Sequence, residues 1–228
     1  MSYILLRNGL ANRLRTIAGY IYVSLKTGRE FIFHWDIKNI DCNGNFNDIF
    51  NPIDGIKIID CARDSNINYY LVGQNTIANI LEKEEIKANV KDVENEVYRL
   101  FIPKEHVARE IDSFPLIAAA IHVRRTDHVE LAKSKSKYIE NEQFIKFIEN
   151  HAQVFLATDD YETQQFFMKF ENIIIRRPIL PNNNFRQTSL EDAVIDVFIA
   201  ARSEHFMGTE YSSYSQLIRI FQRLRLYL

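Results

Sequence analysis

Cysteine is scarce in this 228-residue chain, limited to Cys42 and Cys61, and the pair forms no metal-like cluster. With so few thiols and no signal sequence, a reducing, cytoplasmic location is expected rather than a secretory route. The longest apolar run at the start, Tyr3 to Leu6, is cut short by Arg7, Arg13 and Arg15. That excludes a signal-peptide core and a membrane span there. Charge of one sign is also lacking: the formal net charge is −2 and the pI near 6.3, so nothing in the total favours nucleic acid or an anionic membrane. Only seven glycines occur, and the first turn lacks G-x-G-x-x-G, so a dinucleotide fingerprint is absent. No repeat or low-complexity tract is visible.

What the chain does have is core material. Hydrophobic residues make up 46% and aromatics 12%, enough to bury a core without staples. At roughly 100–200 residues per domain, the length suits one large domain or two small ones.

The chain alternates between strand-like and helix-like stretches. Tyr3–Arg7 reads as a strand, and Asn8-Gly9-Leu10-Ala11-Asn12 as a turn. Leu14, Ile17, Ala18, Ile21 and Leu25 follow at helical spacing, Gly28 supplies a stop, and Phe31–Phe33 is a second strand. This is the opening of a βαβ unit. Between residues 34 and 75, Asn/Asp/Gly-rich turns separate Asn47–Phe50, a strand at Ile56–Ile59, and Tyr69–Val72. Helical periodicity spans about Thr76 to Leu100, with a solvated charged face at Glu82–Lys87. Pro103 and Pro115 bracket a short helix and mark the boundary between halves, giving domains at 1–114 and 115–228. The second half repeats the alternation. Its strands are Leu116–Val123, Gln153–Ala157, Asn172–Ile175 and His205–Gly208. Its helices are near Asn141–Asn150, after a capping box of Asp159 with Glu162, after Thr188 with Glu191, and from Ser212 onward. The fold class is α/β, as two small Rossmann-like halves facing one another.

One stretch organises this half. The uncharged apolar run that starts near Leu116 ends in His122, Arg124, Arg125 and Asp127. A run apolar throughout suits a strand buried on both faces of a parallel sheet, and ligands of such sheets bind at the strands' carboxyl ends. Two arginines there carry ten N–H donors suited to phosphate oxygens, or pair with nearby acids. Two more strand ends are polar, Thr158-Asp159-Asp160 and Thr209–Ser215, and the three clusters would converge on one sheet edge. Ser212, Ser213 and Ser215 open a helix, which makes an anion site or, more blandly, an N-cap. Asp159 and Asp160 admit a divalent metal, but a cap and dipole partner is the commoner role of such a pair. His128 and Glu130 follow the arginines closely enough to supply a general base. His122 is bonded within the fold or against a ligand, while His34, His106, His151 and His205 show no metal-ligand spacing. Trp35 and Asp36 follow the second strand, where an aromatic suits a sugar ring or the core.

Taken in order, these residues resemble the α1,6-fucosyltransferase and protein O-fucosyltransferase superfamily, which includes bacterial nodulation fucosyltransferases. His122-Val-Arg124-Arg125-Thr-Asp127 is similar to its H-x-R-R-x-D motif. Ala157-Thr158-Asp159-Asp160 is similar to the second motif, and Asp196 followed by Thr209-Glu-Tyr-Ser212-Ser213-Tyr214 to the third. Gly9-Leu10-Ala11-Asn12-Arg13 resembles the glycine-containing first turn.

The resemblance implies a GT-B fold, a GDP-fucose donor, a glycan acceptor, and inverting transfer with neither metal nor other cofactor required. It puts the acceptor side in residues 1–114 and the nucleotide-sugar site in 115–228. Arg124 would meet the β-phosphate, Arg125 would support the diphosphate or orient the loop, and Asp127 would brace an arginine. His122 and Asp196 would hold the guanosine, with Thr158, Asp159 and Asp160 along the nucleotide and Ser212, Ser213 and Tyr214 at the phosphates. Gly9, Leu10 and Asn12 would face the donor or acceptor from the first half. Glu130 comes sooner after the motif than the base-candidate glutamate of the α1,6 members, so Glu130, His128 and Asp127 all stand as nominees. The basic stretch Lys133–Lys137 is positioned for a lid. Two other readings share the residues: a transferase for GDP-mannose or GDP-rhamnose, and a non-catalytic binder of nucleotide sugars or glycans.

Overall fold

A computed structural model describes residues 1–39, 41–42, 44–125, 133–134, 138–181 and 188–226. The nominees Asp127, His128 and Glu130 lie outside the described residues, as does most of Lys133–Lys137. The chain divides into two compact units, Met1–Val107 and Ala108–Leu228.

The first unit holds a parallel four-stranded sheet in the order β3-β2-β1-β4. Its strands are β1 (Ser2–Leu6), β2 (Phe31–Asp36), β3 (Lys57–Cys61) and β4 (Leu71–Val72). Every residue of β2 is buried, as a central strand covered on both faces requires. Helix α1 (Leu10–Thr27) crosses from β1 to β2 and ends at Gly28, whose φ of 70° is the left-handed conformation open to a residue without Cβ. Phe46–Ile49 forms a short helix, α2.

The periodic stretch from Thr76 to Leu100 is not one helix. Thr76 caps α3 (Ile77–Lys83), and Asn89 caps α4 (Val90–Val97), which runs into a 3₁₀ turn, Tyr98–Leu100. Between them Glu85 adopts φ 55°, and the Ile86 N–H reaches back to the Leu81 carbonyl at 2.8 Å. This is a Schellman-type ending, which apolar periodicity alone does not reveal.

Helix α5 (Glu105–Ser113) spans the division between the units. The second unit is built on a parallel sheet of order β7-β6-β5-β8. These strands are β5 (Ala119–His122), β6 (Val154–Ala157), β7 (Ile173–Ile174) and β8 (His205–Gly208). Helices α6 (Asn141–Glu149), α7 (Tyr161–Phe167), α8 (Leu190–Ala201) and α9 (Ser213–Leu224) accompany them. Ile121, Val123, Phe144, Ile148, Leu156 and Phe167 form one core between sheet and helices.

Two caps sit one residue later than the sequence pattern predicts. Asp160, not Asp159, caps α7 by accepting from the Thr163 N–H at 2.8 Å. Ser189, not Thr188, caps α8, its Oγ accepting from Asp192 N and donating to Asp192 Oδ2. In both cases a second polar residue stands beside the first, and only the backbone geometry chooses between them. Ser212 caps α9 as its position predicts.

Candidate functional site

Register brings the polar strand ends of the second unit together. His122, the last residue of β5, pairs with Ala157 of β6 on one side and Gly208 of β8 on the other. The next residues on each strand, Val123-Arg124-Arg125, Thr158-Asp159-Asp160 and Thr209, therefore leave the sheet side by side at its carboxyl edge.

That edge is tightly bonded. The Thr209 N–H and Oγ1–H both donate to the His122 carbonyl, at 2.9 and 3.1 Å, and Thr209 Oγ1 accepts from the Arg124 N–H at 2.9 Å. His122 is buried, with Nδ1 2.7 Å from Ser215 Oγ and its ring tilted against Tyr214 at 4.6 Å. The Tyr214 hydroxyl donates to the Ala193 carbonyl at 2.7 Å, and burial, with Asp196 and Asp159 nearby, pushes its pKa well up.

Gly208 makes the close packing possible. A Cβ there would lie 2.6 Å from Ser215 Oγ and 2.7 Å from the Phe206 ring. The three serines therefore split their roles. Ser212 is the cap, Ser215 is buried against His122, and Ser213 occupies the first helical turn with Tyr214.

The two adjacent arginines diverge. Arg124 is 7% exposed at the end of β5. Arg125 Nη2 donates to the Ile139 carbonyl at 2.8 Å and Asn141 Oδ1 at 2.7 Å, and its guanidinium lies 4.6 Å over the Tyr138 ring. Burial lowers its pKa. Arg125 thus ties the end of β5 to the start of α6.

A cavity of about 360 Å³ opens beside β6, lined by Leu156, Thr158, Pro178, Leu180, Asp192 and Asp196, among others. Gln164 shapes its rim, donating through Nε2 to the Arg177 carbonyl at 3.1 Å and accepting the Ile179 N–H at 2.8 Å. Asp196, on α8, accepts from Arg176 Nε at 2.8 Å. Burial, opposed by Arg176 but reinforced by Asp192 and Glu110, raises its pKa to about 6. Burial also acts against ionised Asp192, but hydrogen bonds from Ser189 and Arg176 outweigh it and hold that carboxyl below its ordinary value. Among the described residues, no group of three or more His, Cys, Asp or Glu could hold a metal ion.

In the first unit, Gly9, Leu10 and Asn12 sit at the β1–α1 turn. Gly9 is the N-cap residue of α1, Leu10 is buried, and Asn12 Oδ1 accepts from Arg15 Nη2 at 2.8 Å. Arg13 is the residue that organises this turn. Fully buried, it donates to the Asn8 and Asp36 carbonyls and to Asn39 Oδ1, and lies 4.5 Å over the Trp35 ring. Trp35 is therefore a core residue, with its indole N–H donating to the Gly44 carbonyl at 2.9 Å.

Sequence reasoning missed Arg176. The signal was present, since Ile173–Ile175 runs into Arg176-Arg177 just as Ile121–Val123 runs into Arg124-Arg125.

No protein-family model matches the chain, and no curated protein matches it in sequence. Solved structures do match. The fucosyltransferase NodZ from Bradyrhizobium superposes with a TM-score of 0.59 at 16% identity, covering 96% of this chain and 93% of that one. NodZ α1,6-fucosyltransferase soaked with GDP-fucose gives 0.60 at 15%, covering 96% and 92%. POFUT1 in complex with GDP gives 0.58 at 12%, covering 96% and 94%. No helix among the described residues is long and apolar enough to cross a membrane. With its two parallel sheets flanked by helices, the chain has the α/β, GT-B fold of these fucosyltransferases.

Proposed function

We propose that this protein is an inverting fucosyltransferase that moves fucose from GDP-fucose to a glycan hydroxyl without a metal ion. The observation that carries the reading is the convergence at one sheet edge of Arg124, the His122–Ser215 pair, Thr209 and the Asp196 cavity. Similar folds crystallised with GDP-fucose or GDP support the nucleotide assignment.

In this reading residues 115–228 hold the donor and residues 1–114 serve the acceptor side. Guanosine occupies the cavity against Asp196 and Thr158, with His122 beside it and Asp159 and Asp160 along the nucleotide. The diphosphate lies against the start of α9, at Ser212, Ser213 and Tyr214, where unsatisfied N–H groups and the helix dipole favour an anion. Arg124 meets the β-phosphate. As the bond from the sugar's anomeric carbon to the phosphate oxygen breaks, charge grows on GDP, and a fixed guanidinium aimed there stabilises the transition state more than the ground state. The acceptor hydroxyl attacks the opposite face of the same carbon, inverting it, and its proton passes to a base drawn from Asp127, His128 and Glu130. Arg125 acts indirectly, holding the loop that carries Arg124, and Gly9, Leu10 and Asn12 belong to the β1–α1 turn of the acceptor-side unit.

The test is calorimetric titration with GDP, UDP and ADP in EDTA, followed by GDP-fucose turnover against a panel of glycans. The expected result is selective GDP binding and fucosyl transfer that Arg124→Ala abolishes while thermal unfolding stays near wild type. Equal binding of the three nucleotides, or an active Arg124→Ala variant, overturns the proposal.

A further inference from the structure

The charges around the cavity are arranged about one side chain. Arg176, whose side chain is only 6% exposed, donates through Nη1 to Glu110 Oε1 at 2.7 Å, through Nη2 to Asp192 Oδ1 at 2.5 Å, and through Nε to Asp196 Oδ1 at 2.8 Å. Arg177 is over half exposed and supplements it from outside, 2.7 Å from Glu110 and 3.5 Å from Asp192. Three carboxylates from α5 and α8 thus share one buried guanidinium, and two of them also reach the surface guanidinium of Arg177. Asp196 Oδ2 has no hydrogen-bond partner among the described residues, and Asp196 lines the cavity.

We infer that Arg176 is a positioning residue for nucleobase recognition: by anchoring Asp196 Oδ1 it orients the carboxylate and leaves Oδ2 as an acceptor for the N–H edge of a guanine-type base. The inference rests on the donor reading above and names the residue behind its base selectivity. A carboxylate oxygen has two lone pairs, so Asp196 can receive a base while still bonded to Arg176. Guanine presents a ring N–H beside an exocyclic NH₂, two donors that suit a carboxylate. Adenine presents a donor beside a ring-nitrogen lone pair, which a carboxylate repels. Only an ionised Asp196 makes this distinction.

The groups facing Asp196 decide its charge: Glu110 from α5, Asp192 on its own helix, Tyr214 from α9, and Arg176 after β7, with Arg177 reaching only Glu110 and Asp192. Of these, Arg176 alone is bonded to Asp196. Without it, burial and two neighbouring acids would drive a proton onto Asp196 and turn an acceptor into a donor.

The test titrates GDP, inosine diphosphate (which lacks the 2-amino group), ADP and inorganic pyrophosphate into wild type, Arg176→Lys, Asp196→Asn and the double variant. Wild type is expected to prefer GDP over inosine diphosphate by about tenfold, as for a buried acceptor left unpaired. Arg176→Lys should bring that ratio close to one while pyrophosphate affinity stays within about twofold, an effect a general loosening of the fold would not produce. Because Arg176 acts through Asp196, the double variant should bind GDP as weakly as Asp196→Asn alone. This comparison also serves if Arg176→Lys fails to fold by itself, since the double variant leaves one fewer buried carboxylate. A wild-type ratio in Arg176→Lys, or a further large loss in the double variant, overturns the inference and leaves the donor reading standing. A wild-type protein with no preference for GDP over ADP overturns both.

Discussion

Replacing Gly208 with alanine puts the packing of the candidate site to a direct test. The added Cβ would lie 2.6 Å from Ser215 Oγ, 2.8 Å from Ser215 Cβ and 2.7 Å from the edge of the Phe206 ring. Ser215 has no exposed surface into which to retreat, so α9 or the Ser215 rotamer must shift. Overpacking of this kind costs about 1–3 kcal/mol. If the shift breaks the 2.7 Å contact between Ser215 and His122, a buried ring nitrogen loses its partner, at about 1–3 kcal/mol more. For a chain of this size, a total of about 3 kcal/mol lowers Tm by about 6–12 °C. Thermal unfolding followed by near-UV circular dichroism reads the shift, and a GDP titration reads the site. Gly208→Ala/Ser215→Gly should lose less than the sum of its parts, because removing the Ser215 side chain clears two of the three contacts. A Tm drop below about 2 °C for Gly208→Ala, with GDP affinity intact, would refute the claim that this strand and helix touch without slack.

Five other perturbations have clear expected outcomes. Arg125→Met keeps the apolar stem but removes the bonds to Ile139 and Asn141; a loss of about 2–4 kcal/mol in chemical denaturation is expected, with GDP-fucose turnover reduced far less than by Arg124→Ala. GDP affinity should fall as pH drops through about 6, where Asp196 gains a proton, by about tenfold between pH 7 and pH 5 in calorimetry. The effect on stability has the opposite sign. Because the folded-state pKa of Asp196 is raised, its contribution is present below the ordinary carboxyl value and lost as pH rises through about 6, so Asp196→Asn should flatten that part of the stability profile. EDTA should leave transfer unchanged, and complete loss in chelator would return Asp159 and Asp160 to the position of metal ligands. Glu85→Gly relieves a left-handed residue at the end of α3 and should raise Tm by about 2–4 °C in calorimetry.

Elements dictated by local chemistry were legible in the chain. The apolar run before His122, the stop at Gly28, the strand His205–Gly208 and the cap at Ser212 all lie where composition and spacing put them. Each depends on a preference expressed within a few residues: burial on both faces, freedom at positive φ, or a hydroxyl before a helix. The ordered motifs likewise pointed to an α/β, GT-B architecture. The helical periodicity from Thr76 to Leu100 was legible too, but not the break within it, because apolar periodicity survives a break when the helices on both sides pack against the same support. Both α3 and α4 lie against α1.

Local composition sets which residues close each strand, and hence the chemical character of the sheet edge. How those residues are used depends on contacts made across the fold. Arg124 and Arg125 are neighbours of identical type, yet one stays at the edge while the other is drawn to Ile139 and Asn141. Ser212 and Ser215 open the same helix, yet one caps it and the other is buried against a histidine 93 positions away. Asp196 becomes an oriented carboxylate only because Arg176, 20 residues earlier in the chain, arrives beside it from the end of β7. Such pairings join positions far apart in sequence, and their energy comes from desolvating charges together. No local preference encodes that cost or its compensation.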